Sequence, residues 1–315
     1  MLTVPIIDIS PLLEGTPEGS ARVAASIGAA CRGIGFFYIT GHGVNPALVA
    51  EVFAASAAFF ALPVDVKRLV AIDQTNRGYV SLGAESLDPT STSDNKEAFN
   101  IGVDHPPSDP RVASQQPFFG ANQWPDRPVG FRRIMLQYFD ALLTVSRHIH
   151  RAFCIDLGVS PATFFDAALV EPLAFLRLLQ YPATGGTAGA HTDYGNVTLL
   201  AQDTVGGLEV LTRTDKLNWV PAPVVPGSFV CNIGDCLMRW TNDVYVSSPH
   251  RVRSVPGAVR RSVAFFCDLN GSTPVVCLPT CRREGEANPR YAPTTVAAYL
   301  TERLDRTYAH RKAKI

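Results

Sequence analysis

Residues 188–203 read AGAHTDYGNVTLLAQD, and the alternation in this stretch decides how the rest of the chain is read. On an extended strand, side chains two positions apart leave the same face. His191 and Asp193 therefore point together, an imidazole and a carboxylate within reach of one ion. Gly189 and Gly195 flank the pair, and the run that begins at Val197 reads as a strand of its own. A third ligand is needed, and His250 in NDVYVSSPHRV lies roughly sixty residues further on, among more short strands that can bring it across. Two neutral imidazoles and one carboxylate on one side of an ion leave the remaining positions open, which is the facial arrangement of non-haem Fe(II) oxygenases. Zinc accepts the same ligand types, so zinc hydrolysis stays open on ligand type alone.

Working outward, short apolar or alternating runs follow Pro172 at 173–181, 197–202, 207–211, 228–233 and 262–268, punctuated by Gly, Pro, Asn and Asp. Strands this short and regular predict a β-sandwich or jelly roll. Upstream, Pro5 to Ile9 reads as a strand. Val23, Ile27, Ala30 and Cys31 recur at helical spacing after Pro17, until Gly33 and Gly35 stop them. Phe36 to Thr40 is dense in β-formers, and Pro46 opens a helix through Phe60. Residues 84–128 are the least regular stretch and read as the border of an active site rather than a linker. A long helix carries Phe131, Ile134, Tyr138, Leu142, Val145 and Ile149 on one face, and Thr294 to Tyr308 reads as a closing helix. The expected fold is mainly β with flanking helices around a jelly-roll core. It forms one domain over 1–315: helix-rich 1–170, a β core with the metal site at 171–282, and a helical segment at 283–315.

Composition narrows the partners. Hydrophobic residues make up 46% and charged residues 18% of 315, enough for a large core. Lys plus Arg equals Asp plus Glu at 28 each, so no global positive field gathers nucleic acid or an anionic membrane. A small-molecule substrate is the expected partner, with a monomer as the default. No secretory signal or membrane-length apolar run is visible. Seven cysteines without a C-x-x-C pair suit reduced thiols in a cytoplasmic protein.

Ten segments, taken in order, carry a resemblance. They are VPIIDIS, CRGIGFFYITGHGV, FFALPVDVKR, NRGYVSLGAESLD, KEAFNIG, LRLLQYP, HTDYGNVTLLAQDTVGGLEV, CNIGDCLMRWTND, SSPHRV and RRSVAFFCDLN. The chain resembles, almost end to end, the isopenicillin N synthase-like branch of the 2-oxoglutarate/Fe(II)-dependent dioxygenases. The resemblance implies a double-stranded β-helix core with His191, Asp193 and His250 as iron ligands. It implies O2 and 2-oxoglutarate as co-substrates, with succinate and CO2 released as a small organic molecule is hydroxylated or desaturated.

Ten residues after His250, Arg260 and Ser262 share a strand face in an R-x-S motif while Arg261 points away. A guanidinium forks onto a carboxylate and a hydroxyl adds a neutral donor, a pairing suited to the distal carboxylate of 2-oxoglutarate. In the resembling family this motif has that role, assisted by the Tyr of N-x-Y-P. Here that segment is Leu179-Gln180-Tyr181-Pro182, so Tyr181 carries over and the Asn does not. By the same resemblance Arg77, Tyr79, Glu97 and Phe99 border the substrate pocket. One alternative is an oxidase of this fold that dispenses with 2-oxoglutarate and seats a substrate carboxylate on R-x-S. A more remote one is an inactive binding protein, whose signature would be a lost ligand or anchor. Elsewhere, His148 and His150 stand two apart on a helix and cannot share an ion. His42 and Asp235 read as structural, His105 as a solvated loop residue, and Trp219 and Trp240 as core aromatics.

Overall fold

Period-two alternation marks the strands of the second half, and the apolar helical stripes of the first half pack against the outside of the sheet they form. The computed structural model describes residues 3–85, 94–160, 165–212, 218–253, 255–283, 285 and 288–307. In chain order the strands are β1 (Ile6–Asp8), β2 (Phe36–Thr40), β3 (Gly78–Val80), β4 (Glu97–Gly102), β5 (Ala174–Tyr181), β6 (Ala188–His191) and β7 (Val197–Gln202). They continue as β8 (Leu208–Thr212), β9 (Asn218–Pro221), β10 (Phe229–Ile233), β11 (His250–Val252), β12 (Arg260–Cys267), β13 (Pro274–Val275) and β14 (Thr294–Thr295). The described helices are α1 (Ser10–Glu14), α2 (Pro17–Gly33), α3 (Pro46–Phe60), α4 (Val64–Arg68), α5 (Pro110–Ala113), α6 (Phe131–Leu157), α7 (Asp235–Trp240) and α8 (Val296–Thr307).

Eight strands form one sheet in the order β1-β2-β10-β7-β12-β5-β4-β3, and four form a second in the order β6-β11-β8-β9. The neighbours are mostly distant in sequence, as the crossing strands of a double-stranded β-helix require. Register fixes which side chains face inward. Ser262 lies opposite Leu179 and Gln202, Ala264 opposite Arg177 and Leu200, and Asn232 opposite Thr198 and Phe36. The opposite parity, including Phe37, Leu176, Leu178, Leu199, Val263 and Phe265, faces the helices.

Two cores result. The larger lies between the helices and the outer face of the sheet, where α6 supplies Met135, Tyr138, Leu142, Val145, Ile149 and Phe153, all buried. The smaller lies between the two sheets and contains Phe36, Ala98, Leu179, Leu208, Val230, Val252 and Ala264. Each aliphatic side chain buried here contributes on the order of 2 kcal/mol. Helix α2 starts on Thr16, whose hydroxyl accepts the Gly19 N–H at 3.3 Å. Just past its end, Gly35 takes φ 70°, and a Cβ there would fall 2.1 Å from the Val246 carbonyl oxygen. Only glycine makes that turn without collision.

Three readings need adjustment. Residues 84–128 are not loop throughout, because β4 and α5 lie within them and β4 pairs along its length with β5; residues 86–93 lie outside the described residues. Trp219 is half-buried on β9, with the Arg251 guanidinium 3.9 Å from its ring centroid, rather than in the core. The closing helix begins at Val296, and Tyr308 lies outside the described residues.

Candidate metal centre and its cavity

His191 ends β6 and His250 opens β11, and antiparallel pairing sets them directly opposite one another. Their ring centroids are 4.3 Å apart. Asp193 follows in the turn after β6, with Oδ1 3.7 Å from His250 Nε2. One donor atom from each of the three lies within 4.8 Å of the others, close enough to share a single ion.

Each of the three side chains is oriented from behind. His191 Nδ1 lies 2.8 Å from the Gly189 carbonyl oxygen and His250 Nδ1 3.3 Å from that of Ser248. A proton on Nδ1 in each ring satisfies those carbonyls and leaves the Nε2 lone pair for a metal. Asp193 Oδ2 accepts from Thr198 Oγ1 at 2.5 Å and Asn232 Nδ2 at 2.6 Å, so Oδ1 remains to face the imidazoles. Burial pushes His191 down to about 4, with His250 adding to the effect, and keeps it in the neutral form that ligates. Burial opposes the charge on Asp193. Its neighbours His250 and His191 and the hydrogen bonds from Asn232 and Thr198 outweigh that and hold the carboxyl below its usual range.

The three donors edge a cavity of about 180 Å3 between the two sheets. Arg260 is on its wall, 3% exposed. Its Nε donates to the Gly206 carbonyl at 2.6 Å, Nη1 to Ser262 Oγ at 3.1 Å and Nη2 to Gln202 Oε1 at 3.1 Å. The guanidinium lies 4.8 Å from the centroid of the Tyr181 ring. None of these partners is a carboxylate, so among the described residues this buried cation has no counter-ion. The donor set and the orphaned cation together fit a divalent metal with open positions beside a bound anion.

The four residues expected at the pocket border, Arg77, Tyr79, Glu97 and Phe99, do not line this cavity. Glu97 and Phe99 have the outward parity of β4. Glu97 accepts from Lys67 Nζ at 2.7 Å, Tyr79 Oη at 2.7 Å and Gln180 Nε2 at 3.0 Å. Phe99 packs edge-on to Phe59 and Phe131 at centroid distances of 4.7 and 5.4 Å. Arg77 sits behind Phe175 and donates to the Thr75, Val103 and Phe118 carbonyls. In their place Glu85, Lys96, Asn100, Arg177 and Asn76 line the wall. Sequence reasoning missed these, as it missed Gln202, Thr198 and Asn232. Strand parity counted from Tyr181 would have found Arg177, whereas Gln202 and Asn100 need the registers of β7 with β12 and of β4 with β5, which the sequence alone does not supply.

Residues 4–127 match the family described as non-haem dioxygenase in morphine synthesis, N-terminal, and residues 173–269 match the 2OG-Fe(II) oxygenase superfamily. The chain is 38% identical over 322 residues to the 2-oxoglutarate-dependent dioxygenase citB of Monascus ruber, covering 97% of this chain and 95% of that one. This chain belongs to the 2-oxoglutarate/Fe(II)-dependent oxygenases. A homoarginine-6-hydroxylase of Glycine max is 33% identical to the oxygenase, over 96% of each chain. Among solved structures, a full-length Neurospora crassa enzyme in complex with alpha-KG and thymine superimposes with a TM-score of 0.82 at 29% identity, covering 97% of each chain. A 2OG-Fe(II) oxygenase family protein from Caulobacter crescentus gives 0.84 at 29% identity, covering 97% of this chain and 99% of that one. Membership sets aside both the zinc hydrolase and the oxidase that dispenses with 2-oxoglutarate. The oxygenase acts on a small molecule, and no helix among its described residues is long and apolar enough to cross a membrane.

Proposed function

We propose that His191, Asp193 and His250 hold the ferrous ion of this oxygenase, and that Arg260, Ser262 and Tyr181 receive the distal carboxylate of 2-oxoglutarate. The observation that carries this is a three-donor cluster sharing one cavity with a buried guanidinium that has no carboxylate partner among the described residues. A buried cation is costly until an anion meets it, and Arg260 already holds its fork in place through Gly206, Ser262 and Gln202. When bound, iron and 2-oxoglutarate supply the oxidative chemistry, consuming O2 and releasing succinate and CO2 as the substrate is oxidised.

The chain's own residues orient and exclude. The Nδ1–H of His191 and of His250 fixes each ring, and Thr198 and Asn232 engage Oδ2 of Asp193, which would leave Oδ1 for the ion. Apolar groups from both sheets, among them Phe36, Leu208, Val252 and Phe266, keep water from the reacting centre, and Leu300 and Leu304 of α8 line the same cavity. Hydroxylation or desaturation of a small organic molecule is the reaction this supports. A monomer in a reducing, cytoplasmic compartment is the setting we infer, since all seven cysteines are free and six are buried.

Anaerobic calorimetry tests the assignment. Titration of 2-oxoglutarate into the Fe(II)-loaded protein should give one site, and Arg260→Ala should weaken it about 100-fold while metal binding persists, on the scale of a lost buried ion pair. His191→Ala should lose iron binding and iron-dependent succinate release. Full activity in His191→Ala, or wild-type affinity for 2-oxoglutarate in Arg260→Ala, would overturn it.

A further inference from the structure

Beside β4 the cavity wall carries charged side chains, Arg177 of β5 and Glu85 and Lys96 from the chain ahead of β4, and they are paired with each other. Arg177 donates to Glu85 through two bonds, at 3.1 Å from Nη1 and 2.6 Å from Nη2. Lys96 Nζ lies 3.1 Å from the same carboxylate and also in close contact with Asp94. Asp94 in turn accepts the Gly189 N–H at 2.8 Å. Side-chain exposure is 12% for Arg177 and no more than 3% for Glu85, Lys96 and Asp94. Burial opposes the charge on Glu85, but Arg177 and Lys96 overcome it and hold its carboxyl well below the usual range. Two cations and two anions thus cancel on this wall.

The metal side balances as well. On the placement proposed above, the charges of the ferrous ion and Arg260 offset those of Asp193 and the two carboxylates of 2-oxoglutarate. One charged lining residue is left, Asp268. It packs behind the metal loop, where its Oδ1 accepts the Asn196 N–H at 2.6 Å and would lie 1.8 Å from a Cβ added to Gly195. Among the described lining residues, then, every charged side chain but Asp268 is balanced by an opposite charge on this wall or at the proposed metal and co-substrate site.

The same space holds neutral polar groups that are short of partners. Asn76 and Asn100 are 5% and 6% exposed and line the cavity, and the Oδ1 of each has no hydrogen-bond partner among the described residues. A carboxamide offers both a donor and an acceptor, and buried ones without partners are uncommon in native proteins. Phe118, Phe175, Leu300 and Leu304 supply apolar walls.

We propose that the oxygenase selects an uncharged substrate, a small ring-bearing molecule with an amide- or carbonyl-type edge, received by Asn76 and Asn100. Glu85 excludes carboxylates by occupying Arg177. An incoming carboxylate would have to displace Glu85 and leave it buried without its partner, and an incoming amine would meet Arg177 and Lys96 with no acid to spare. The inference rests on the iron and 2-oxoglutarate reading, so 2-oxoglutarate is titrated into the Fe(II) protein first. Absence of that binding is the failure of the cofactor reading and not of this one.

The test then titrates the anaerobic Fe(II)–2-oxoglutarate enzyme with benzamide, benzoate and benzylamine, three probes of one size and different charge. Wild-type enzyme should bind benzamide at least tenfold more tightly than benzoate or benzylamine. Glu85→Gln, which frees Arg177 without emptying the site, should bind benzoate at least tenfold more tightly than wild type does. The double variant Glu85→Gln/Arg177→Gln should lose that gain. Benzamide binding no tighter than the acid or the amine in the wild type overturns the proposal whether or not the variants fold. So does a folded Glu85→Gln that gains nothing for benzoate.

Discussion

At the scale of single residues, the proposed metal site depends on groups that would not touch the metal. Asp193 has two carboxylate oxygens, and both hydrogen bonds from Thr198 and Asn232 go to one of them. Removing a donor frees the carboxylate to rotate and lowers its readiness to ligate. Asn232→Ala should weaken Fe(II) binding by about 10- to 100-fold, measured by competition with a chelating dye, and the protein should remain folded because Asn232 is a single inward position on an otherwise apolar strand. A second residue-scale effect concerns His150, fully buried on α6, with Nδ1 2.8 Å from the Ser146 carbonyl oxygen. Burial pushes it down to about 4, below its ordinary 6.5. Between those values the unfolded chain binds a proton that the folded one refuses, so stability falls as pH drops through that window. The shift corresponds to about 3 kcal/mol. His150→Gln should flatten the fall by that order, read from urea midpoints of the apoprotein at pH 6.5 and 4.5.

At the scale of elements, the strands were legible where alternation was strong and the side of the sheet was not. The runs at 173–181, 197–202, 207–211, 228–233 and 262–268 match β5, β7, β8, β10 and β12 to within two residues. Strands β6 and β11, which carry His191 and His250, are only four and three residues long, too short for alternation to mark. Strand β4 was hidden in an irregular stretch, and without its register nothing in the sequence says whether Glu97 or Ala98 faces the cavity. Pairing with β5 settles it, because Ala98 lies opposite inward-facing Leu179 and Glu97 opposite outward-facing Gln180. Glu97 therefore belongs to the junction of α4, β3, β4 and β5, where it neutralises Lys67, whose side chain is 8% exposed. Glu97→Ala leaves that ammonium buried without its partner, and the expected loss is about 3 kcal/mol, seen in the denaturant midpoint. Affinity for 2-oxoglutarate, measured below the unfolding transition, should be unchanged. A Glu97→Ala protein of normal stability that binds 2-oxoglutarate poorly would return the residue to the site.

At the scale of the whole molecule, the two sheets are brought together around groups that cost stability until ligands arrive. The proposed metal ligands sit on and beside the four-stranded sheet, and Arg260 on the eight-stranded one, so metal and 2-oxoglutarate would together bridge the fold. Ligands that bind only the native state stabilise it by mass action, by about 2.7 kcal/mol at a concentration 100-fold above Kd. With an unfolding entropy of about 2.1 cal/mol/K per residue, each such increment moves Tm by roughly 4 °C in a chain of this length. Scanning calorimetry should therefore show two steps, one on adding Fe(II) anaerobically and a second on adding 2-oxoglutarate. Arg260→Ala should keep the first and lose the second. His191→Ala should lose both, because on the proposed placement 2-oxoglutarate would be held by the metal as well as by the guanidinium. If 2-oxoglutarate raises Tm fully in metal-free protein, the anion site is independent of the triad, and the two do not form one shared site in this oxygenase.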